Sequence, residues 1–229
     1  MRSLADYERC FIASFERFYG PIESWSLYGL LPSYLEREGS SLVYMAERMI
    51  VRSRGGGLYL HDHDRLLDDM AADPGRKILL GVTYALLDLA EKGVRLPADT
   101  VIMETGGMKG RRKELPKEEL HRILCQAFGT ETIHSEYGMA ELSSQAYSKG
   151  DGLFYTPPWM RVVIRDLNDP FEPLPVGRSG GINLIDLSNL HSCAFIQTDD
   201  LGRLQRDGGF RIEGRVKRSD IRGCNLLVQ

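Results

Sequence analysis

Ile78-Leu79-Leu80-Gly81-Val82, the segment Thr83 to Lys92, and Thr100-Val101-Ile102-Met103-Glu104 read in succession as an apolar run, a helix and a second apolar run. Short apolar runs bounded by polar or turn-forming residues suit strands buried on both faces. Strand, helix and strand in that order is the alternation of a parallel sheet covered by helices. The reading therefore predicts an α/β fold.

Upstream, Leu4, Tyr7, Phe11, Phe15 and Phe18 recur at helical spacing, with Ser3 and Asp6 as a capping pair and Gly20-Pro21 as the stop. Trp25 to Leu31 is a short buried strand, and Ser40-Ser41 opens a helix with Leu42, Met45, Met49 and Ile50 on one face. Gly55-Gly56-Gly57 lacks the Gly-Lys-Ser/Thr ending of a phosphate loop and reads as a flexible turn before the strand Leu58-Tyr59-Leu60. His61-Asp62-His63-Asp64 has the spacing of a metal pair but no third ligand nearby. An aspartate capping the helix through Leu66, Leu67 and Met70 is the better reading.

Downstream, Thr105-Gly106-Gly107-Met108-Lys109 follows a strand directly, where two glycines let the backbone lie against a ligand or simply turn into a helix. Pro116 starts a helix to about Phe128, with Leu120, Ile123, Leu124 and Ala127 inward and Cys125 as a small hydrophobe. A short apolar run ends at Ile133, and the loop Ser135-Glu136-Tyr137-Gly138-Met139-Ala140-Glu141 comes next. There a tyrosine can stack on a flat base, Gly138 can turn or approach a ligand, and Glu141 can hold a hard cation through oxygen. After Gly150, short strands alternate with Pro, Gly and Asn turns, which predicts a small β-rich barrel or sheet. The expected organisation is an α/β nucleotide-binding part at 1–149, a β-rich subdomain at 150–213 and a hinge-like segment at 214–229.

The composition narrows the classes of partner. With 229 residues, 42% hydrophobic and 27% charged, the chain can bury a full core. A net charge of -3 gives no electrostatic reason to expect nucleic acid or an anionic membrane. No apolar run is long enough to span a bilayer, and the N-terminal segment is amphipathic rather than signal-like, so a cytoplasmic location is the expectation. Cys10, Cys125, Cys193 and Cys224 are widely spaced without a Cys-x-x-Cys pair, which argues against a disulfide framework or a zinc site.

Two further motifs complete a series. Thr198-Asp199-Asp200-Leu201-Gly202-Arg203 ends a predicted strand with an acid able to accept from two ribose hydroxyls. Gly209-Phe210-Arg211-Ile212-Glu213-Gly214-Arg215 is a hairpin followed by an arginine that can reach ribose or phosphate oxygens.

Gly-Gly, then Tyr-Gly-x-x-Glu, then Asp-Leu-Gly, then Gly-Arg, each at a strand end, resembles the adenylate-forming superfamily of acyl- and aryl-CoA ligases. Within it the blocks Leu31-Pro32-Ser33-Tyr34-Leu35-Glu36-Arg37, Ser40-Ser41-Leu42-Val43-Tyr44-Met45, Gly106-Gly107-Met108-Lys109 and Arg222-Gly223-Cys224 are similar to the LuxE-like acyl-protein synthetases of bacterial luminescence. The resemblance implies ATP and magnesium as cofactors, a fatty or related carboxylic acid as substrate, and an acyl reductase as a possible protein partner. It assigns Gly106 and Gly107 to the adenine wall, Tyr137 with Gly138 to stacking on adenine, Glu141 to magnesium, Asp200 to ribose and Arg215 to the nucleotide. Cys224 stands at the place of the cysteine that takes the acyl group as a thioester; its alternative is a buried small hydrophobe. Lys217, Arg218 and Arg222 lie near enough in sequence to favour a thiolate. The sequence departs from the family at Ala140, where a hydroxyl residue is usual, and at Asp199, where glycine is usual. Set against the family pattern, the upstream Ser/Thr/Gly-rich phosphate loop is unmatched before Leu4 and the lid domain is unmatched after the hinge. The expectation is that these residues form the later part of a longer enzyme.

Overall fold

A computed structural model describes residues 3–31, 39–106 and 115–216. The first helix, α1 (Leu4–Tyr19), is capped by Ser3, whose Oγ accepts from the Asp6 amide at 3.2 Å. It buries Tyr7, Phe11, Ile12, Phe15 and Tyr19. Leu4 is exposed. Next come β1 (Ser26–Leu30), α2 (Ser41–Arg52), β2 (Gly55–Tyr59), α3 (His63–Ala72), β3 (Lys77–Val82), α4 (Thr83–Ala90), β4 (Thr100–Thr105) and α5 (Lys117–Phe128). Ser40 caps α2 by accepting from Val43, and Asp62 caps α3 by accepting from Arg65, the role the sequence assigns it.

The larger sheet has the order β2-β1-β3-β4-β5-β6, with β5 (His134–Tyr137) and β6 (Ala146–Ser148) at one edge. Every pair is parallel except β5–β6. This is the predicted α/β architecture with two local corrections. The three glycines at 55–57 are the start of edge strand β2, paired residue for residue with Ser26, Leu27 and Tyr28, and not a turn. At Gly56 (φ +113°) a Cβ would fall inside the Leu27 carbonyl, so only glycine allows the two backbones to approach. Ser135 to Tyr137 belong to strand β5 itself; the loop begins at Gly138. Buried Ser135 and Glu136 make this strand polar, so it does not stand out as an apolar run.

The second sheet is antiparallel, in the order β7-β11-β10-β9-β8. It comprises β7 (Leu153–Phe154), β8 (Met160–Arg165), β9 (Gly180–Asp186), β10 (Phe195–Leu204) and β11 (Phe210–Arg215). Asp200 does not end a strand as predicted but lies inside β10. Between the pairs Gln197↔Asn183 and Leu201↔Gly181, residues 198–200 of β10 face the single residue Ile182 of β9, so β10 bulges there. Arg165, 5% exposed, occupies the gap. Its guanidinium donates to the carbonyls of Ile182 (3.0 Å) and Thr198 (2.8 Å) and to the Asn183 side chain (2.8 Å).

Two apolar cores result. The first lies between the parallel sheet and its helices; the second collects Phe154, Met160, Val162, Ile164, Ile182, Leu184 and Phe210 from the second sheet. Tyr137, Leu142 and Ala146 from the β5–β6 hairpin also enter the second core, whereas Tyr147 packs with Phe15, Phe18 and Tyr19 in the first. Strand alternation sends neighbouring side chains to opposite faces, so one hairpin serves both cores. Among the described residues, no helix is long and apolar enough to cross a membrane.

Candidate functional site

The carboxyl end of β5 meets the second sheet at three residues named from the sequence. The Tyr137 hydroxyl donates to Asp200 Oδ2 at 2.7 Å, and Arg215 Nε lies 3.2 Å from Asp200 Oδ1. Asp200 and Arg215 are direct partners across β10–β11. The β10 bulge supports this: the Thr198 hydroxyl accepts from the Asp200 amide at 3.1 Å and donates to the Ile182 carbonyl at 2.8 Å. All three side chains are buried, Tyr137 and Asp200 each at 4% exposure. Phe154 and Phe210 meet the Tyr137 ring edge to face at centroid distances of 6.0 and 5.9 Å. Stacking a base on this ring requires one of its faces to be uncovered.

The loop after Tyr137 is tightly held. At Gly138 the space of a side chain is taken by Glu136 Oε1, 2.5 Å from where a Cβ would sit, and by Gln145 Cγ at 3.5 Å. The glycine makes room here for its own neighbours. Leu142 donates to the Met139 carbonyl at 3.0 Å, closing a turn at whose tip Glu141 is exposed. The Glu141 carbonyl accepts from Asn189 Nδ2 at 2.7 Å. Beyond it, fully buried Asp186 accepts at Oδ2 from the amides of Ser143 (2.9 Å) and Ser144 (3.0 Å) and at Oδ1 from the Ser144 hydroxyl (2.9 Å). Ser188 adds its amide (3.1 Å) and hydroxyl to the same oxygen. Nothing in the sequence singles out Asp186 or Asn189, because one looks like an ordinary polar residue at a strand end and the other like an ordinary loop asparagine.

Gly106 directly follows β4, and its carbonyl accepts from the Thr83 hydroxyl at 3.2 Å. It thus shares the carboxyl edge of the sheet with Tyr137, where α/β folds place ligands. Gly107 and Cys224 lie outside the described residues, as do Pro32 to Arg37 and the basic residues near Cys224. Two buried glutamates back this edge. Glu104 pairs with Lys117 and lies 3.6 Å from His121 Nε2. Burial would raise its pKa, but the Lys117 charge and His121 outweigh that and hold it at about 2. Glu136 accepts from the Thr105 hydroxyl, and the Lys117 charge acts on it only weakly. Burial pushes its carboxyl from 4.5 up to about 7, with the Glu104 charge adding to the rise.

The native Glu136 carboxyl therefore holds its proton more tightly than the unfolded one. Its contribution is fully present below pH 4.5 and is lost as pH rises through about 7. Glu136→Gln, which cannot ionise, is expected to gain roughly 2–4 kcal/mol over the natural chain between pH 4.5 and 8. Urea unfolding of both proteins at the two pH values checks this; a difference that stays constant with pH would refute it.

Among the described residues, no group of three or more His, Cys, Asp or Glu is placed to hold a metal ion. One exposed carboxylate such as Glu141 still fits magnesium, which is commonly held by one or two carboxylates together with substrate phosphates and water. A family model described as acyl-protein synthetase, LuxE, matches residues 70–229, a stretch that takes in all eight residues named for the site.

The chain belongs to the LuxE acyl-protein synthetase family.

The blocks at Leu31–Arg37 and Ser40–Met45 lie upstream of the LuxE match. A curated relative, the long-chain-fatty-acid–luciferin-component ligase of Vibrio harveyi, is 31% identical over 142 residues, covering 57% of this chain and 37% of that protein. The chain described here thus spans well under half the length of that relative. Its fold is that of much larger solved enzymes. ATP-bound MatB from Rhodopseudomonas palustris superposes with a TM-score of 0.69 at 18% identity, covering 94% of this chain and 45% of that one. O-succinylbenzoate coenzyme A synthetase (MenE) from Bacillus subtilis, in complex with AMP, gives 0.68 at 18% identity, covering 94% and 46%. The amide bond synthetase McbA from Marinactinospora thermotolerans gives 0.67 at 16%, covering 92% and 45%. These structures establish the adenylate-forming fold for this chain.

Proposed function

We propose that this chain takes part in ATP-dependent activation of a carboxylic acid as an acyl adenylate, with transfer of the acyl group to a cysteine of the protein. The observation that carries the reading is the contact of Tyr137, Asp200 and Arg215, brought together from two sheets at the carboxyl edge where Gly106 also lies. A buried carboxylate already held by a hydroxyl and a guanidinium has a fixed orientation, which suits recognition of a ribose diol. In this reading Gly106 and Gly107 wall the adenine, Tyr137 lines it, and Arg215 orients the nucleotide.

The substrate carboxylate attacks the α-phosphate of ATP, the bond to pyrophosphate breaks, and an acyl adenylate forms. Glu141 would hold magnesium, which when bound neutralises charge growing on the phosphate oxygens. Attack by the Cys224 thiolate on the acyl carbonyl then expels AMP and leaves a thioester. A fatty acid is the substrate class favoured by the Vibrio harveyi relative, and a reductase would consume the thioester.

The test uses the longest natural reading frame containing this chain, incubated with ATP, magnesium and labelled fatty acid. Hydroxylamine-sensitive label on the protein is expected, and Cys224→Ser is expected to abolish it while ATP–pyrophosphate exchange continues. Label that persists in Cys224→Ser rejects Cys224 as acceptor. Label that appears only on added coenzyme A assigns the chain to the acyl-CoA ligase reaction instead.

A further inference from the structure

We infer that Asn189, with Asp186 behind it, is a positioning residue that fixes the Glu141 turn for metal–nucleotide binding; this rests on the assignment of Glu141 to magnesium. Glu141 itself is exposed at the tip of its turn. Its backbone is held from a different hairpin. Asn189, 7% exposed, donates from Nδ2 to the Glu141 carbonyl at 2.7 Å and to the Cys193 carbonyl at 3.2 Å, while its Oδ1 accepts from the Ser143 hydroxyl at 2.6 Å. One side-chain amide therefore ties the turn to the loop joining β9 and β10.

Asp186 secures the following two residues. Its carboxylate is fully buried, and five donors from Ser143, Ser144 and Ser188 converge on its two oxygens. The Trp159 indole donates to the Ser144 hydroxyl at 2.9 Å and completes the set. Burying a carboxylate is costly unless its oxygens are satisfied, and here the satisfaction comes mainly from the loop that bears Glu141. The expenditure of a buried acid and a buried amide on one exposed turn makes sense if the location of that turn matters. Fixing it in advance reduces the ordering cost when a ligand binds.

Asn189→Asp retains the oxygen that receives Ser143 and loses the donor to Glu141; Asn189→Ala removes both without adding charge. Ser143→Ala breaks the hydroxyl contact and leaves the Glu141 tie intact. Calorimetric titration of the full chain with ATP in magnesium, and separately with ATP in EDTA, reads the effect. Both Asn189 variants are expected to weaken binding of the magnesium complex about tenfold and to leave metal-free ATP within about twofold, while Ser143→Ala changes neither. In a Glu141→Gln background the Asn189 variants are expected to add no further loss.

Equal weakening with and without magnesium, equal weakening by Ser143→Ala, or unchanged binding by Asn189→Asp overturns the inference while leaving the adenylation reading in place. Absence of metal-dependent ATP binding by the natural chain overturns both.

Discussion

Asp200→Ala is expected to lower the unfolding free energy by about 3–5 kcal/mol, because it strips a buried guanidinium of its nearest carboxylate. Asp200 is 4% exposed, with Arg215 Nε at 3.2 Å and the Tyr137 hydroxyl at 2.7 Å. Asp199 lies farther from the guanidinium, at 3.8 Å, and is largely exposed, so it is a poor replacement. Asp200→Asn keeps an acceptor for the tyrosine and is expected to cost less, and Arg215→Ala should not add fully to Asp200→Ala because the two variants break one interaction. Urea unfolding of the single and double variants measures this; a loss below about 1 kcal/mol for Asp200→Ala would mean the pair is solvated in solution. In the exchange assay the same substitution is expected to reduce the rate by at least about a hundredfold, since removing a preorganised polar contact typically costs that much.

Gly56→Ala is expected to have the largest structural effect. Gly56 lies opposite Leu27 in β2, at the edge of the parallel sheet, with φ at +113°. A methyl group there would overlap a backbone carbonyl, which cannot rotate away as a side chain can. Strand β2 must then separate from β1, and a loss of more than about 3 kcal/mol is expected. The control is Gly57→Ala, where the nearest neighbour is the Tyr59 ring at 3.3 Å and φ is not positive; a loss of about 1 kcal/mol or less is expected. Thermal unfolding of the two variants separates them, and equal melting temperatures would refute the account.

The helices and the parallel strands were legible because their residues follow the physics of burial without interference. The stripe Tyr7, Phe11, Phe15 in α1 and the run Ile78 to Val82 in β3 face the first core as their spacing requires. Strand β5 was less legible because Ser135 and Glu136 are buried polar residues, satisfied by partners far away in sequence such as Thr105 on β4. The glycines of β2 look like a turn until the neighbouring backbone that requires them is known. The same limit applies to the candidate site. Tyr137, Asp200 and Arg215 carry recognisable motifs, but their mutual contact arises from a β10 bulge that no local pattern announces. Asp186 and Asn189 carry no motif, and their importance lies wholly in the tertiary contacts they make.

Arg165 makes the register of the second sheet a property of three strands rather than two. The carbonyls of Ile182 and Thr198, which an unbulged ladder would pair with backbone amides, are held here by a guanidinium reaching over from β8. Strand β10 therefore owes part of its bulged register to a side chain from a strand it does not pair with. The Tyr137–Asp200 contact thus depends on β8 as well as on the two strands that carry its residues.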